Sequence, residues 1–257
     1  GVLDGAYALT INGASQTGTV KLAGTNTYSG TTTVSAGTLL ITNSSGLGTT
    51  AGGTTVASGA TLDLVNVAVG AEAITLNGGT LADATSSLAG DVTLTANSTI
   101  SVTNSADTFT ISGVISGTST TLTKQGTGAL VLTGANTYTG ATTISAGDLI
   151  IRNNAPSSSS SSFDGPGTLT IEPSSTSFTS AFSTTGWTLN ANLGGLTIGK
   201  DGNTQTITVD TATSIAGPIT IYGGAIGINA ALTATGTNTI TLKGSGNVTD
   251  GTSGYLV

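Results

Sequence analysis

The chain has 257 residues, a net charge of −7 and 39 glycines, and it contains no cysteine, histidine or methionine. These absences exclude disulfides, thiolate chemistry and imidazole-assisted catalysis, so we expect no catalytic residue, cofactor or metal site. Only 7% of the residues are charged, and the few cations are too scattered to follow a phosphate backbone, so nucleic acid is not an expected partner. No apolar run reaches bilayer length, so membrane contact is expected only through parts outside this chain.

Short segments in which apolar residues alternate with Thr or Ser recur along the chain. This period of two predicts strands with one buried face, and the β-branched residues favour extended backbone over helix. Gly-rich pairs such as Gly78–Gly79 and Asp201–Gly202 separate the strands as turns. The clearest predicted strands are Thr19–Leu22, Ala60–Leu64, Ala73–Leu76, Asp91–Leu94, Thr108–Ile111, Thr168–Ile171, Gln205–Val209 and Thr239–Leu242.

An internal duplication indicates how these strands are arranged. Residues 20–41 align without gaps to residues 130–151, and Gly1–Gly5 echoes Gly113–Gly117, so we place repeat copies at 1–41 and 113–151. The chain therefore opens part-way into a repeat. We expect residues 1–257 to be a single solenoid segment of a longer or polymerising protein.

A parallel β-helix (β-solenoid) suits the sequence better than a sandwich or a propeller. Each coil of such a solenoid pairs with the coils above and below at about 4.8 Å and needs only one or two aliphatic residues per strand inside. A sandwich would normally show aromatic residues between its sheets, and only 4% of this chain is aromatic. The predicted fold is all-β, an extended rod of stacked coils.

One block carries a specific family resemblance. Ser112–Gly117, Leu122–Leu132 and Gly134–Gly147 together resemble the autotransporter-associated β-strand repeat of large exported surface proteins of Gram-negative bacteria. After a Ser-rich loop predicted at 152–167, residues 168–257 look like the looser repeats of filamentous-haemagglutinin-like adhesins. The resemblance implies a right-handed parallel β-helix in an extracellular adhesin passenger.

The repeated corner sequence is the main candidate site. An exposed Tyr and Asn at each corner would suit contact with a sugar; the structural alternative is that Asn supplies turn hydrogen bonds, Gly supplies positive φ and Tyr covers the coil corner. We favour the structural role. The candidate residues are Asn26, Tyr28, Gly30, Asn136, Tyr138 and Gly140.

Two other activities of β-helices receive little support. A polysaccharide-cleaving site needs clustered carboxylates, and here only Asp83 with Asp91, or Asp201 with Asp210, could meet across coils. Ice binding needs a flat rank of Thr with one residue per coil, whereas the Thr-x-Thr pairs fall at irregular sequence intervals.

The sequence therefore predicts a non-enzymatic structural or adhesive stalk segment at the bacterial cell surface. Its expected partners are copies of itself, through coil stacking or an end-to-end filament, and host or matrix glycans. A module that binds glycan directly is the alternative.

Overall fold

The computed structural model describes residues 1–12, 18–156 and 161–251, and the side chain of Ser161 is not described. These residues form strands joined by turns and contain no helix, hence none long and apolar enough to cross a bilayer. The all-β prediction is confirmed. The chain divides into two compact units: residues 1–130 with 136–140, and residues 131–135 with 141–257.

The first unit contains the strands β1 to β15, and β16 passes from it into the second unit. Their bounds are β1 Leu9–Asn12, β2 Thr19–Leu22, β3 Thr32–Ala36, β4 Thr38–Ile41, β5 Thr54–Ala57, β6 Thr61–Val65, β7 Ala68–Val69, β8 Ile74–Asn77, β9 Thr80–Ala84, β10 Ser87–Leu88, β11 Val92–Ala96, β12 Ser98–Val102, β13 Thr108–Ile111, β14 Ile115–Ser116, β15 Leu122–Gln125 and β16 Ala129–Leu132.

The second unit contains β17 to β30. Their bounds are β17 Thr142–Ile144, β18 Asp148–Arg152, β19 Ser161–Asp164, β20 Thr168–Glu172, β21 Phe182–Ser183, β22 Trp187–Leu189, β23 Gly195–Ile198, β24 Ile207–Val209, β25 Thr213–Ile215, β26 Ile219–Gly223, β27 Ile226–Ile228, β28 Leu232–Ala234, β29 Ile240–Gly244 and β30 Val248–Asp250.

The first unit is a parallel β-solenoid. Within its described residues, β1, β3, β5, β8, β11 and β14 form sheet A, β2, β4, β6, β9, β12 and β15 form sheet B, and β7, β10 and β13 form sheet C. From β5 onward the chain visits the sheets in the order A, B, C and returns to A one coil higher. Thr61 pairs with Thr80 and Ser98 pairs with Leu122, and the second pair is separated by a longer stretch of chain than the first. Coil length therefore varies while the strand register is kept.

The second unit follows the same principle. Sheet D holds β17, β19 and β22, sheet E holds β18, β20, β23, β26 and β29, sheet F holds β21, β24, β27 and β30, and sheet G holds β25 and β28. The pairings between adjacent coils are again parallel, and the pair Thr168 and Gly195 encloses a coil longer than either of those two. The prediction of a parallel β-solenoid is thus confirmed in each unit.

The core is a column of aliphatic side chains, because alternate residues of every strand point inward. On sheet B, Leu39, Leu62, Leu81 and Ile100 occupy the same register position in four successive coils and are fully buried. Adjacent coils therefore bury each other's apolar surface, which no single coil could do alone.

Aromatic residues concentrate at one place in the second unit. The rings of Phe163 and Trp187 stack at 5.3 Å between centroids, and Phe182 meets the Trp187 ring edge-on at 5.6 Å. Phe178 stacks on Phe182 at 5.7 Å. This cluster adds wide side chains to the core of the second unit.

The Ser-rich interval predicted as a loop at 152–167 is not a loop throughout. Strand β18 continues through Arg152, and β19 lies at Ser161–Asp164. Residues 157–160 of the serine run lie outside the described residues. Phe163, which follows the serine run, is buried in the core against Trp187. The local composition of the run does not indicate this contact.

Replacement of a column residue should be costly. We expect Leu81→Ala to lower the free energy of unfolding by about 2–5 kcal/mol, because the fixed neighbours at Leu62 and Ile100 cannot close the cavity. The outward Thr80→Ala is the matched control and should change it by less than about 0.5 kcal/mol. Urea unfolding followed by circular dichroism measures both, and equal effects would contradict the column.

Candidate functional site

The first repeated corner is held by the side chain of Asn26, which is only 4% exposed. Its Oδ1 accepts a hydrogen bond from the Leu3 amide at 2.9 Å, and its Nδ2 donates to the Gly46 carbonyl at 2.7 Å. Leu3 lies one coil before Asn26 and Gly46 one coil after it. One amide side chain therefore joins three successive coils and satisfies backbone groups that the strand ladders leave unpaired.

Tyr28 faces inward at the same corner and is 3% exposed. Its hydroxyl shares a hydrogen bond of 2.7 Å with the Thr32 hydroxyl. Burial raises the pKa of Tyr28, the Thr32 contact acts in the opposite direction, and the nearby Glu72 carboxylate raises it further. With its ring inside the coil, Tyr28 offers no face for stacking on a sugar.

The second corner repeats the backbone arrangement of the first. Asn136 Oδ1 accepts from the Ile115 amide at 2.8 Å, as Asn26 does from Leu3. The amides of residues 137 and 138 both donate to the Ile115 carbonyl, as those of residues 27 and 28 do to Leu3. The two corners are therefore structurally equivalent, although Asn136 and Tyr138 are half-buried where Asn26 and Tyr28 are buried.

The corner glycines act differently from the prediction. Neither Gly30 nor Gly140 has positive φ. A Cβ on Gly30 would lie 2.2 Å from the Tyr7 carbonyl oxygen, and one on Gly140 would lie 1.8 Å from that of Thr120. Glycine is required at these corners because the backbone of the preceding coil passes too close for any side chain.

Several polar side chains lie inside the first unit. The Thr54 hydroxyl donates to Glu72 Oε1 at 2.7 Å, yet burial still raises the pKa of Glu72. Lys124 is fully buried and donates to the carbonyls of Gln125 at 3.0 Å and Gly126 at 2.8 Å. These groups make hydrogen bonds at coil corners, which is the condition for burying them.

Asp83 differs from Glu72 and Lys124 in its hydrogen bonding. It stands in the aliphatic column between Leu64 and Val102 of the adjacent coils and is 2% exposed. Among the described residues, neither of its carboxylate oxygens has a hydrogen bond of normal geometry. Burial raises the pKa of Asp83 to about 6; contacts with Ser86 and Thr85 offset part of that cost, and the Asp107 carboxylate adds to it.

The structure does not bring Asp83 and Asp91 together in one surface site, as a polysaccharide-cleaving pair would require. Asp83 lies in the core, whereas Asp91 is exposed and accepts from the Val114 amide at 2.8 Å. Asp201 follows β23 and lines a surface groove, whereas Asp210 follows β24. Within residues 1–12, 18–156 and 161–251, no three acidic side chains come together as metal ligands.

Asp210 is held ionised by its neighbours. Partial burial opposes the charge, but hydrogen bonds from the hydroxyls of Ser183 at 2.5 Å and Thr208 at 2.6 Å and from Asn229 at 2.7 Å lower the pKa of its carboxyl. A carboxylate kept charged in this way is unsuited to act as a general acid near neutral pH.

Outward-facing threonines form two regular ranks in the first unit, which corrects the expectation of irregular spacing. The coils differ in length at their corners, so threonines at unequal sequence intervals still occupy the same position in each coil. The neighbouring outward rank on sheet B is mixed, from Lys21 and Leu40 to Asp63 and Ala82, so no flat two-dimensional Thr lattice is built there. The ranks are Thr19, Thr38, Thr61, Thr80, Thr99 and Thr123 on sheet B, and Thr10, Thr33, Thr55, Thr75 and Thr93 on sheet A.

Comparison with known families identifies the blocks that hold the two corners. Residues 9–41 and 122–151 match the family model of the Passenger-associated-transport-repeat. Both stretches are passenger-associated transport repeats. The chain is also 36% identical over 125 residues to the adhesin BmaC autotransporter of Brucella suis biovar 1 (strain 1330). That match covers 49% of this chain and 3% of the relative, and no solved structure matches significantly.

The first transport repeat offers a direct test of the corner. Asn26→Ala leaves the Leu3 amide and the Gly46 carbonyl without their partner, and we expect a loss of about 1–3 kcal/mol in the free energy of unfolding. Asn77→Ala, at an exposed outward position, is the control and should be nearly neutral. Thermal and urea unfolding measure both, and an unchanged midpoint for Asn26→Ala would refute the joining role.

Asp83 predicts a pH-dependent stability. The carboxyl of Asp83 is protonated in the folded and the unfolded state at a pH below its ordinary pKa of 3.8, and it is ionised in both states above a pH of about 6. The cost of burying the charge therefore grows between these values and is complete above the higher one. We expect Asp83→Val to stabilise the chain by about 2–3 kcal/mol at neutral pH, with the gain shrinking toward pH 4.

Unfolding experiments between pH 4 and pH 7 measure how the difference in stability between Asp83→Val and the unmodified chain changes with pH. The exposed Asp4→Val controls for the loss of one carboxylate and should show no such window. A gain for Asp83→Val that stays constant over this range would show that the ionisation of Asp83 is not the cause.

Proposed function

We propose that this chain is a non-enzymatic stalk segment of an exported bacterial surface protein that serves adhesion. The observation that supports it most is that the passenger-associated transport repeats use their Asn and Gly corner residues to join coils. Tyr28, the residue of the first repeat best suited to hold a ligand, is buried instead. The repeats therefore contribute to building the solenoid.

The comparisons support export and adhesion as the setting of this segment. The relative with 36% identity is named as an autotransporter adhesin, and the repeat family is described by its association with passenger transport. Because the chain spans a small fraction of that relative, the adhesive activity of the whole protein is proposed here, together with its location at the cell surface.

The absence of an enzyme activity is part of the proposal. The chain has no histidine or cysteine, and the acidic residues predicted as pairs differ in burial or follow different strands. A hydroxyl nucleophile without a base to activate it is weak. Release of sugar from a polysaccharide panel, lost on Asp201→Asn or Asp210→Asn, would contradict this part.

An exchange experiment distinguishes a stalk from a direct adhesin. In the producing bacterium, the coding region for residues 1–257 is deleted in frame or replaced by an unrelated β-solenoid with the same number of coils. We expect the deletion to reduce adhesion to host cells and the replacement to restore most of it, with surface display checked by antibody labelling of intact cells. Adhesion restored only by the native segment would contradict the stalk role.

A further inference from the structure

The second unit carries a polar surface groove that the stalk role does not use. It encloses about 310 Å³ and is bordered by the turn at residues 200–204, by Tyr222 and by the end of β29 at Lys243–Ser245. Lysine, aspartate and tyrosine side chains share this one space. The groove spans three successive coils, so its residues come together only through stacking.

A buried glycine lies against the backbone of Tyr222 beside the groove. Ile198, the last residue of β23, pairs with Ile221, and Gly199 follows directly after it. Gly199 has a φ of +77°, and a Cβ there would lie 2.2 Å from the Tyr222 carbonyl oxygen. Glycine at this position therefore lets the turn after β23 pack closely against the backbone of Tyr222.

The wall of the groove is fixed by a buried asparagine. Asn203 donates to the Tyr222 carbonyl at 2.8 Å and accepts from the Ser177 hydroxyl at 2.8 Å and from the Phe178 amide at 3.3 Å. It is 4% exposed. These bonds hold the turn at residues 200–204 against Tyr222, so a ligand would not have to order it.

Two cations of the described part of the second unit, Lys200 and Lys243, line this groove. In the described part of that unit the cations are Arg152, Lys200 and Lys243, and Arg152 is paired with Glu172 at 2.6 Å. Lys243 Nζ lies 4.8 Å from the centre of the Tyr222 ring and 3.3 Å from its hydroxyl. Lys200 donates one hydrogen bond, to the Pro173 carbonyl at 3.0 Å, and an ammonium has three donors.

We infer that this groove binds an acidic saccharide. The ammonium groups of Lys200 and Lys243 would take its carboxylate or sulfate, and the Tyr222 ring would contact the C–H face of a sugar ring. Asp201 and Thr204 on the rim supply acceptors for hydroxyl groups. A carboxylate on the rim disfavours a bare polyanion, whereas a saccharide carries both anionic and hydroxyl groups. The inference adds a ligand to the proposed stalk.

Titration calorimetry on the purified chain tests the groove with three probes: a galacturonic acid tetramer, a sulfated galactose tetramer and a neutral galactose tetramer. We expect saturable binding of at least one acidic tetramer, weakened by salt, and none of the neutral one. Binding of only the first would assign carboxylate as the anionic group, and binding of only the second would assign sulfate.

Variants locate the binding. Lys200→Gln combined with Lys243→Gln should weaken it at least tenfold, and Tyr222→Leu about fivefold, with unfolding midpoints measured in parallel. Lys21→Gln removes an exposed cation of the first unit and should change nothing. Absence of saturable binding, equal binding of the neutral tetramer, or equal loss in Lys21→Gln would overturn the inference. The assay uses no cells, so its outcome is independent of the exchange experiment.

Discussion

The constraint on which this structure depends is the in-register stacking of successive coils. A short strand cannot bury its apolar face or pair its backbone alone, and both needs are met by the coil above and the coil below. The stacked Leu39, Leu62, Leu81 and Ile100 show the result: one aliphatic position repeated at the strand spacing. The composition follows from this, because a narrow column needs few large side chains and leaves half of every strand free for threonine.

Corners present a second problem, since the chain must turn there without the ladder hydrogen bonds that strands provide. Asn26 solves it by bonding to backbone groups of the coils before and after, and Gly30 by letting those coils approach within the radius of a side chain. In the second transport repeat, Asn136 bonds to the preceding coil and Gly140 allows the same close approach. In both stretches, residues of the repeat therefore join successive coils.

Once the interior and corners are satisfied, the outward positions are free to differ along the solenoid. In the first unit they include two threonine ranks, whereas in the second Lys200, Tyr222 and Lys243 line a polar groove. A structural scaffold and a local ligand site are therefore compatible in one segment. The proposed stalk role rests on the first set of residues, and the proposed saccharide site rests on the second.

The strands, the parallel solenoid and the repeated corners could be predicted from the amino-acid sequence, because a period of two and a duplicated block report directly on local backbone and coil pairing. It also showed the lack of imidazole and thiol groups. Which residues of different coils are neighbours in space could be read only from the folded structure. The short coil from Ile74 to Val92 and the much longer coil from Thr168 to Gly195 are both closed by in-register parallel pairing, so sequence spacing does not give spatial phase.

For that reason the regular threonine ranks looked irregular in the sequence, and Gly30 was assigned positive φ when close approach of a neighbouring coil is what requires it. The sequence likewise did not indicate that Asp83 is buried in the column, that Phe163 lies beside Trp187, or that Lys200 and Lys243 line one groove. Each depends on a partner about one or two coils away, and the lengths of the intervening corners are set by packing rather than by any local signal in the chain.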